Sequence, residues 1–414
     1  MLAPMFKRLL VLPAVLFSFL LHAQVTPEIS SWIRNTTNAT GYNNIPSNVQ
    51  MVQYSASNVY VSCTGIPGYS IGPWQGNPNV ASNQNFVFKI TRNPVQNTGT
   101  AVNVGLGHIG VWSNGVSIFN ADDGMTYNNA GVWHRNAYFW EGPSFDNCLG
   151  HPQQSGEYHH HVSPNCLYDQ ADSTHHSPII GYAFDGFPVY GAYGYTNTDG
   201  TGAIKRMASS YQLRNITDRT TLPGGATASS AGPAISASYP LGAYIQDYEF
   251  VTGSGDLDIH NGRFCVTPDY PNGIYAYFVT IDATLTPSYP YTLGTTYYGT
   301  VQAGNTGPNS GHNTITETTT VYTGTSSAED VPNIKYKLYP NPSKGFVYLY
   351  LEPGSVNNIS ARVYDGMGSL VETIDVMQPS ISYTFDFTRH PSGMYLLVMQ
   401  SEGKTVTQKI LVNR

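Results

Sequence analysis

Short segments in which apolar and polar residues alternate recur along the first three quarters of the chain, separated by residues that favour turns. Ser113-Asn114-Gly115 and Asp185-Gly186 interrupt two of these segments and indicate tight turns. Apolar spacing typical of a helix occurs only weakly, near residues 204–214. The pattern predicts a β-rich domain with long loops. Its predicted strand segments are residues 58–63, 85–91, 109–119, 179–190 and 274–281.

A second group of alternating segments follows near the C-terminus and predicts a small all-β sandwich at residues 338–414. Asp365-Gly366 and Ser401-Glu402-Gly403 supply its hairpin turns. The stretch 301–332 is rich in Thr, Ser and Gly without alternation, which predicts a linker. The segments of the sandwich are residues 346–351, 360–364, 394–400 and 404–412. We therefore divide the mature chain into an N-terminal region 24–84, a central domain 85–300, the linker and the sandwich.

The N-terminus has the pattern of a secretory signal peptide, residues 1–23. Lys7 and Arg8 precede an apolar run that is shorter than the ~20 residues of a spanning helix, and Pro13 interrupts it. No later segment is apolar for long enough to span a bilayer. We expect a mature protein that is exported and is either soluble or attached to a surface.

Charge and composition exclude one class of function. Charged residues make up 11% of the chain, and the formal net charge is −7. No cluster of Lys and Arg offers the positive surface that a nucleic-acid binder needs. The abundance of Tyr and Gly suits β-structure with long turns, so we expect a mainly β fold.

Export places the four cysteines in a compartment where disulfides persist. Sequence alone allows three pairings. Cys148 and Cys166 bracket a histidine-rich stretch, and a bridge between them would close that loop. Cys63 and Cys265 would then form the second pair.

The C-terminal segment resembles the sorting domain of the type IX secretion system. The resemblance implies export through the periplasm and transport across the outer membrane by the type IX machinery. It also implies removal of the domain and either secretion or attachment at the outer cell surface. The alternative is an ordinary β-sandwich binding module. The matching motifs are Leu338-Tyr339-Pro340-Asn341-Pro342, Gly345, Val363-Tyr364-Asp365, Gly368, Pro391-Ser392-Gly393-Met394-Tyr395 and Lys409-Ile410-Leu411-Val412.

The central region resembles the YHYH-domain family, named for a Tyr-His-Tyr-His signature. The signature stands here as Tyr158-His159-His160-His161, so His160 replaces its second tyrosine. Further matching motifs are Cys148-Leu149-Gly150-His151-Pro152, His176-Ser177-Pro178-Ile179-Ile180-Gly181, Asp185-Gly186-Phe187-Pro188-Val189-Tyr190 and Asn261-Gly262-Arg263-Phe264.

The signature also predicts a metal site. On an extended strand, His159 and His161 point to one face about 6.5 to 7 Å apart, and His160 points to the other. His151 is the expected third imidazole and His176 a possible fourth. Imidazole ligands suit Zn²⁺ or Cu²⁺, whereas Ca²⁺ prefers oxygen ligands and is the weaker candidate.

Two alternatives for this cluster remain open, namely a structural hydrogen-bond network and metal-free catalysis. A weaker set of candidate ligands consists of Asp185, Asp256, Asp258 and His260, which are more typical of polar turns. Asp185 also has a second candidate role, that of orienting a ligating imidazole from behind. We expect His108, His134 and His312 to be ordinary surface residues.

The leading functional hypothesis is an exported metal-binding protein. The alternatives are an extracellular metalloenzyme, hydrolase or oxidase, and a glycan-binding or adhesive module suggested by the 31 tyrosines. The sequence contains no Walker loop and no HExxH motif. Catalytic residues are therefore not identified, and Glu157 and Asp185 are only candidate bases.

Overall fold

The structure is a computed structural model that describes residues 25–222, 231–307, 310–323, 334–352, 359–366, 368–378, 381–401 and 404–413. The predicted signal peptide lies outside the described residues. The fold is mainly β, as predicted. Among the described residues, no helix combines the length and the apolar character needed to cross a bilayer.

The first part of the chain contains short strands joined by long loops. Its two α-helical turns are α1 (Pro27–Ser30) and α2 (Ala137–Trp140), and 3-10 turns occur at Tyr42–Asn44, Tyr127–Asn129, Gly142–Ser144 and Ile245–Asp247. The strands are β1 (Val49–Tyr54), β2 (Asn58–Cys63), β3 (Phe86–Thr91), β4 (His108–Trp112), β5 (Ser117–Phe119), β6 (Asp122–Thr126), β7 (His134–Asn136), β8 (His151–Pro152), β9 (Tyr158–His160), β10 (Ile179–Ala183), β11 (Pro188–Tyr190), β12 (Tyr193–Tyr195), β13 (Ile204–Arg206), β14 (Tyr211–Leu213), β15 (Tyr248–Phe250), β16 (Gly262–Cys265), β17 (Ile274–Phe278) and β18 (Thr320–Val321).

The central element is an eight-stranded sheet in the order β16-β17-β11-β10-β4-β5-β9-β8. Strands β4 and β10 lie in its middle and are buried along their whole length, because layers of the fold cover both faces. The histidine-rich strands β8 and β9 form one edge of this sheet. Strand β9 pairs in parallel with the buried strand β5, and this pairing holds the edge strands in position.

A four-stranded sheet in the order β18-β1-β2-β3 joins three regions that the sequence separates. Strand β2 of the N-terminal region pairs with β3 of the central domain, and β1 pairs with β18 inside the predicted linker. Glu317 accepts hydrogen bonds from Asn58 and from the Tyr60 hydroxyl, both at 2.7 Å. Residues up to Thr323 are therefore attached to the sheet, and residues 324–332 of the predicted linker lie outside the described residues. The sequence did not indicate this attachment, because β18 is only two residues long and lies in a Thr-rich stretch without alternation.

The weak helical periodicity near residues 204–214 was misleading, because this segment forms strands β13 and β14. Strand β13 pairs with β12, and β14 pairs with β15 from far along the chain. Such long-range pairing overrides a weak local preference.

The C-terminal segment contains two sheets, ordered β19-β20-β23 and β22-β21-β24-β25. Their apolar side chains share one buried cluster that includes Val347, Leu349, Val363 and Leu397. The strands are β19 (Tyr336–Tyr339), β20 (Phe346–Leu351), β21 (Ile359–Tyr364), β22 (Leu370–Met377), β23 (Ser382–Asp386), β24 (Gly393–Ser401) and β25 (Lys404–Val412). The predicted alternation thus produces strands whose inward positions fill one core.

One of the two expected disulfides is confirmed. Cys148 and Cys166 are bonded, whereas Cys63 and Cys265 are free thiols. The second pairing was wrong: Cys63 on β2 and Cys265 on the edge strand β16 are both buried as unbonded thiols. The Cys63 thiol lies 3.2 Å from the Gly115 carbonyl oxygen, and burial raises its pKa to about 12.

Candidate metal centre

Three histidines meet at the edge of the eight-stranded sheet. His151 on β8 lies directly opposite His159 on β9 in the antiparallel register, so their side chains share a face. His161 follows β9 and returns to the same face, because side chains alternate along extended backbone. The three imidazoles are only 2 to 5% exposed. The structure therefore brings together three of the four predicted ligands.

The Nε2 atoms of these rings converge on one point. The Nε2 atom of His159 lies 3.1 Å from that of His151 and 3.1 Å from that of His161. Nitrogen ligands about 2.0 to 2.1 Å from a tetrahedral ion would be roughly 3.3 Å apart. The group is therefore compact enough to hold a metal ion.

The opposite ring nitrogen of each histidine has its own acceptor. Nδ1 of His159 lies 3.1 Å from the Glu157 carbonyl oxygen, and Nδ1 of His161 lies 2.5 Å from that of Asn120. Nδ1 of His151 lies 2.8 Å from the Ser144 hydroxyl. A carbonyl can only accept, so at least His159 and His161 carry a proton on Nδ1. Such hydrogen bonds fix the tautomer that presents an Nε2 lone pair to a metal.

Burial keeps two of the three imidazoles, those of His151 and His159, neutral. It lowers the pKa of His151 to about 4, with the neighbouring His161 as a smaller cause. It also lowers the pKa of His159 well below its usual range, and His151 and His161 add to the effect. At pH 7 both rings therefore offer a lone pair rather than a proton.

Aromatic rings restrict the imidazoles from the side. Phe119 stacks on His159 with ring centroids 3.8 Å apart. Phe145 packs edge-on against His151 at 4.9 Å and parallel to His161 at 6.2 Å. Ring rotation at the site is therefore limited before any ion is bound.

The imidazoles line one wall of a cleft of about 690 Å³, whose other walls include Gln75, Asp122, Trp140 and Gln153. Glu141 reaches into the same cleft, with Oε2 3.0 Å from Nε2 of His161 and 3.7 Å from Nε2 of His151. Sequence reasoning missed Glu141 because it precedes the histidine signature and belongs to no metal-ligand spacing.

The face opposite the triad has a structural role. His160 is fully buried there, with Nε2 3.4 Å from the hydroxyls of Tyr158 and Tyr69. Tyr158 donates to the Asp146 carboxylate, which also accepts a hydrogen bond from the Trp74 indole. This network packs the loop around Trp74 against the histidine strand.

Glu157 is a structural acceptor rather than a free base. Its carboxylate receives hydrogen bonds from the Ser117 hydroxyl at 2.5 Å and the Gln153 amide at 2.6 Å. Nδ1 of His108 lies 3.0 Å from it, and the opposite nitrogen contacts the Ser310 hydroxyl at 2.8 Å. The expectation that His108 is a surface residue was wrong, since it is 1% exposed.

His176 does not join the triad. Its ring packs among Tyr190, Tyr195 and Phe278, at the far side of the sheet. Strand β11, which carries Tyr190, is four strand spacings from β9, about 19 Å. Its place in the sequence near the signature gave no indication of this separation.

The weaker candidates form no metal group with one another or with the triad. Asp185 is buried and accepts from the Tyr277 hydroxyl at 2.6 Å and from the Gly299 amide at 2.8 Å, and burial raises its pKa to about 6. Asp256 pairs with Lys205. Asp258 accepts from the backbone of His260 and from the Tyr275 hydroxyl. Asp258 thus stabilises a turn, whereas Asp185 and Asp256 connect segments that are far apart in the sequence. None of these contacts orients a ligand of the triad.

The remaining histidines differ in exposure. His134 is partly buried and lies 2.8 Å from an Asp122 oxygen. His312 is exposed, as expected, and packs on Phe86.

Thirteen of the 31 tyrosines are buried. Among the largest fully buried side chains are Tyr158, Tyr182, Tyr190, Tyr244, Tyr275, Tyr277 and Tyr291. They therefore provide core volume rather than an exposed stacking surface for sugars.

Comparison with protein families agrees with both resemblances. Residues 87–290 match the family described as YHYH protein, and residues 337–413 match the secretion system C-terminal sorting domain. No curated protein matches the chain. The sorting domain indicates export to the cell surface or secretion. The chain thus carries a YHYH domain, with the three histidines at its sheet edge, followed by a type IX secretion sorting domain.

Proposed function

We propose that this exported protein binds one Zn²⁺ or Cu²⁺ ion through the Nε2 atoms of His151, His159 and His161. The observation that carries the proposal is the convergence of three buried ring nitrogens at 3.1 Å spacing. Two of these rings have their other nitrogen occupied by a backbone carbonyl. A cation between the rings would satisfy lone pairs that otherwise face one another.

The ligand chemistry favours a borderline transition metal. Neutral imidazoles bind Zn²⁺ and Cu²⁺ well, whereas Ca²⁺ and Mg²⁺ need several oxygen ligands. Burial supports this choice because it keeps His151 and His159 neutral. Ca²⁺ is accordingly the weaker candidate.

Metal content is the test. The chain from residue 24 onward would be equilibrated with Zn²⁺ or Cu²⁺, desalted and measured by elemental analysis. We expect about one ion per chain, and almost none in His159→Ala/His161→Ala. The matched control is His175→Ala/His312→Ala, which removes two exposed histidines and should keep the ion. Equal metal content in the two double variants would reject the proposal and favour a structural hydrogen-bond network.

A second candidate function is an extracellular metalloenzyme. The observation that favours it is the cleft of about 690 Å³ beside the triad, because catalytic sites keep a coordination position open to solvent. Purified metal-loaded protein would be assayed on hydrolase and oxidase substrate panels. Turnover that is lost on chelation and in His159→Ala/His161→Ala would establish catalysis. Full metal loading without turnover would leave binding as the function.

A further inference from the structure

Glu141 brings a carboxylate to the triad from outside the signature. It directly follows α2 and is joined to the 3-10 turn Gly142–Ser144. Its Oε2 lies 3.0 Å from Nε2 of His161 and 3.7 Å from Nε2 of His151. This oxygen is buried, and these two ring nitrogens are the polar atoms that it approaches.

This contact brings two acceptors together when His161 is neutral. Nδ1 of His161 faces the Asn120 carbonyl oxygen at 2.5 Å and therefore carries a proton. In the neutral tautomer that this hydrogen bond fixes, Nε2 presents a lone pair to the Glu141 oxygen. A buried carboxylate oxygen beside such lone pairs is costly unless a positive charge lies among them.

The backbone fixes this carboxylate in place. Ser144 in the same segment donates to the Glu141 carbonyl oxygen at 2.8 Å and contacts Nδ1 of His151 at 2.8 Å. On the other side, the Trp140 indole donates to the Ala243 carbonyl oxygen at 2.7 Å. One anchored segment therefore both orients His151 and presents Glu141.

Neighbouring carboxylates in the cleft have other partners. An Asp122 oxygen lies 2.8 Å from Nδ1 of His134. Asp123 accepts from the Met125 amide at 2.7 Å and lies 4.0 Å from Arg135. Among these carboxylates, Glu141 is thus the one that contacts ring nitrogens of the triad, those of His151 and His161.

We propose that Glu141 is the fourth protein ligand of this centre, which makes the site three imidazoles and one carboxylate. The inference rests on the proposed metal-binding function. An anionic ligand reduces the net charge of a bound divalent ion by one and stabilises Cu²⁺ more than Cu⁺. Glu141 therefore selects divalent ions over Cu⁺.

The test compares isosteric variants of two cleft carboxylates. Zn²⁺ and Cu²⁺ affinities would be measured by competition with chromophoric chelators for the chain from residue 24 onward, Glu141→Gln and Asp122→Asn. We expect Glu141→Gln to lower the affinity for both ions by about 10-fold or more, which is typical when a metal site loses a supporting side chain. Asp122→Asn should lower these affinities by less than about threefold, because Asp122 affects a bound ion only by long-range electrostatics, which salt screens.

A second readout separates ligation from a simple ion pair. Cu⁺ affinity should change little in Glu141→Gln, and the Cu²⁺ electron paramagnetic resonance spectrum should change because an oxygen ligand is lost. Unchanged Zn²⁺ and Cu²⁺ affinity with an unchanged spectrum would overturn the role of Glu141. If His159→Ala/His161→Ala still abolished binding in that case, the three-histidine centre would stand and only this inference would fail. Absence of metal in the unsubstituted protein would reject both.

Discussion

The Nε2 atoms of His159 and His161 lie 3.1 Å apart, while Nδ1 of each ring faces a backbone carbonyl oxygen. Alternation along one extended segment brings these two rings to the same face, and the paired strand β8 adds His151. The backbone thus determines both the position and the tautomer of the cluster.

Removing the Cys148–Cys166 bridge should weaken both the fold and the metal site. The bridge spans a sequence separation of 18, and closing a loop of that size stabilises a protein by about 3 kcal/mol. Cys148→Ser/Cys166→Ser should therefore lower the free energy of unfolding in urea by a comparable amount. Its Zn²⁺ affinity should also fall, because the loop must be ordered on binding. Unchanged affinity would show that the sheet alone orders the histidines.

Acid should destabilise the metal-free protein in a defined pH window. Burial lowers the pKa of His151 to about 4 in the folded state, against about 6.5 when unfolded. Below pH 6.5 the unfolded chain binds the extra proton, so stability falls by up to about 1.4 kcal/mol per pH unit until pH 4. Urea unfolding in chelator at pH 7, 6 and 5 measures this slope. His151→Gln should show a smaller slope, and an identical slope would contradict the assignment.

Glu157→Gln should destabilise the fold, because Glu157 is a buried structural acceptor and not a free base. The carboxylate is 3% exposed and is shared by His108, Ser117 and Gln153, so replacing it leaves buried groups with poor partners. We expect a loss of about 3 kcal/mol in the free energy of unfolding.

The matched control for this change is Glu249→Gln. Glu249 forms a partly exposed ion pair with Arg214, which contributes about 1 kcal/mol or less. If both variants lost the same free energy of unfolding, the buried network around Glu157 would contribute no more stability than an exposed ion pair.

Gly150→Ala should disturb the histidine strand from behind. A methyl group at this position would overlap the Tyr158 hydroxyl and lie 2.8 Å from Nε2 of His160. Overpacking of this kind costs about 2 kcal/mol. Calorimetry should show a lower melting temperature for Gly150→Ala than for the control Gly76→Ala. Gly76 lies in an exposed turn, where a methyl group would meet no neighbour within 4 Å. Because Gly76 has a φ of +76°, that control carries only backbone strain.

Local patterns were sufficient to predict much of the fold. Alternation and turn residues located β2 at Asn58–Cys63 and β20 at Phe346–Leu351 with the bounds that the structure shows. They could not reveal that β18 pairs with β1, because that contact depends on two residues brought together over a long separation. The pairing of β14 with the distant strand β15 was hidden for the same reason.

The candidate site was partly predictable. The spacing of His151, His159 and His161 identified the cluster because strand alternation is a local rule. The prediction of His176 as a fourth ligand was wrong. Its packing site is four strand spacings from β9, and a local sequence pattern gives no information about strand order in the sheet. Glu141 and the burial of His108 depend on loops that approach the sheet edge from elsewhere, so no spacing indicated them.

The most direct measurement is anomalous diffraction from a crystal of the protein soaked in Zn²⁺ or Cu²⁺. The account predicts a single strong anomalous peak about 2.0 to 2.1 Å from Nε2 of His151, His159 and His161. The same crystal form of His159→Ala/His161→Ala should show no peak there. A peak at another group of side chains, or a triad that keeps its 3.1 Å contacts without any ion, would contradict the account.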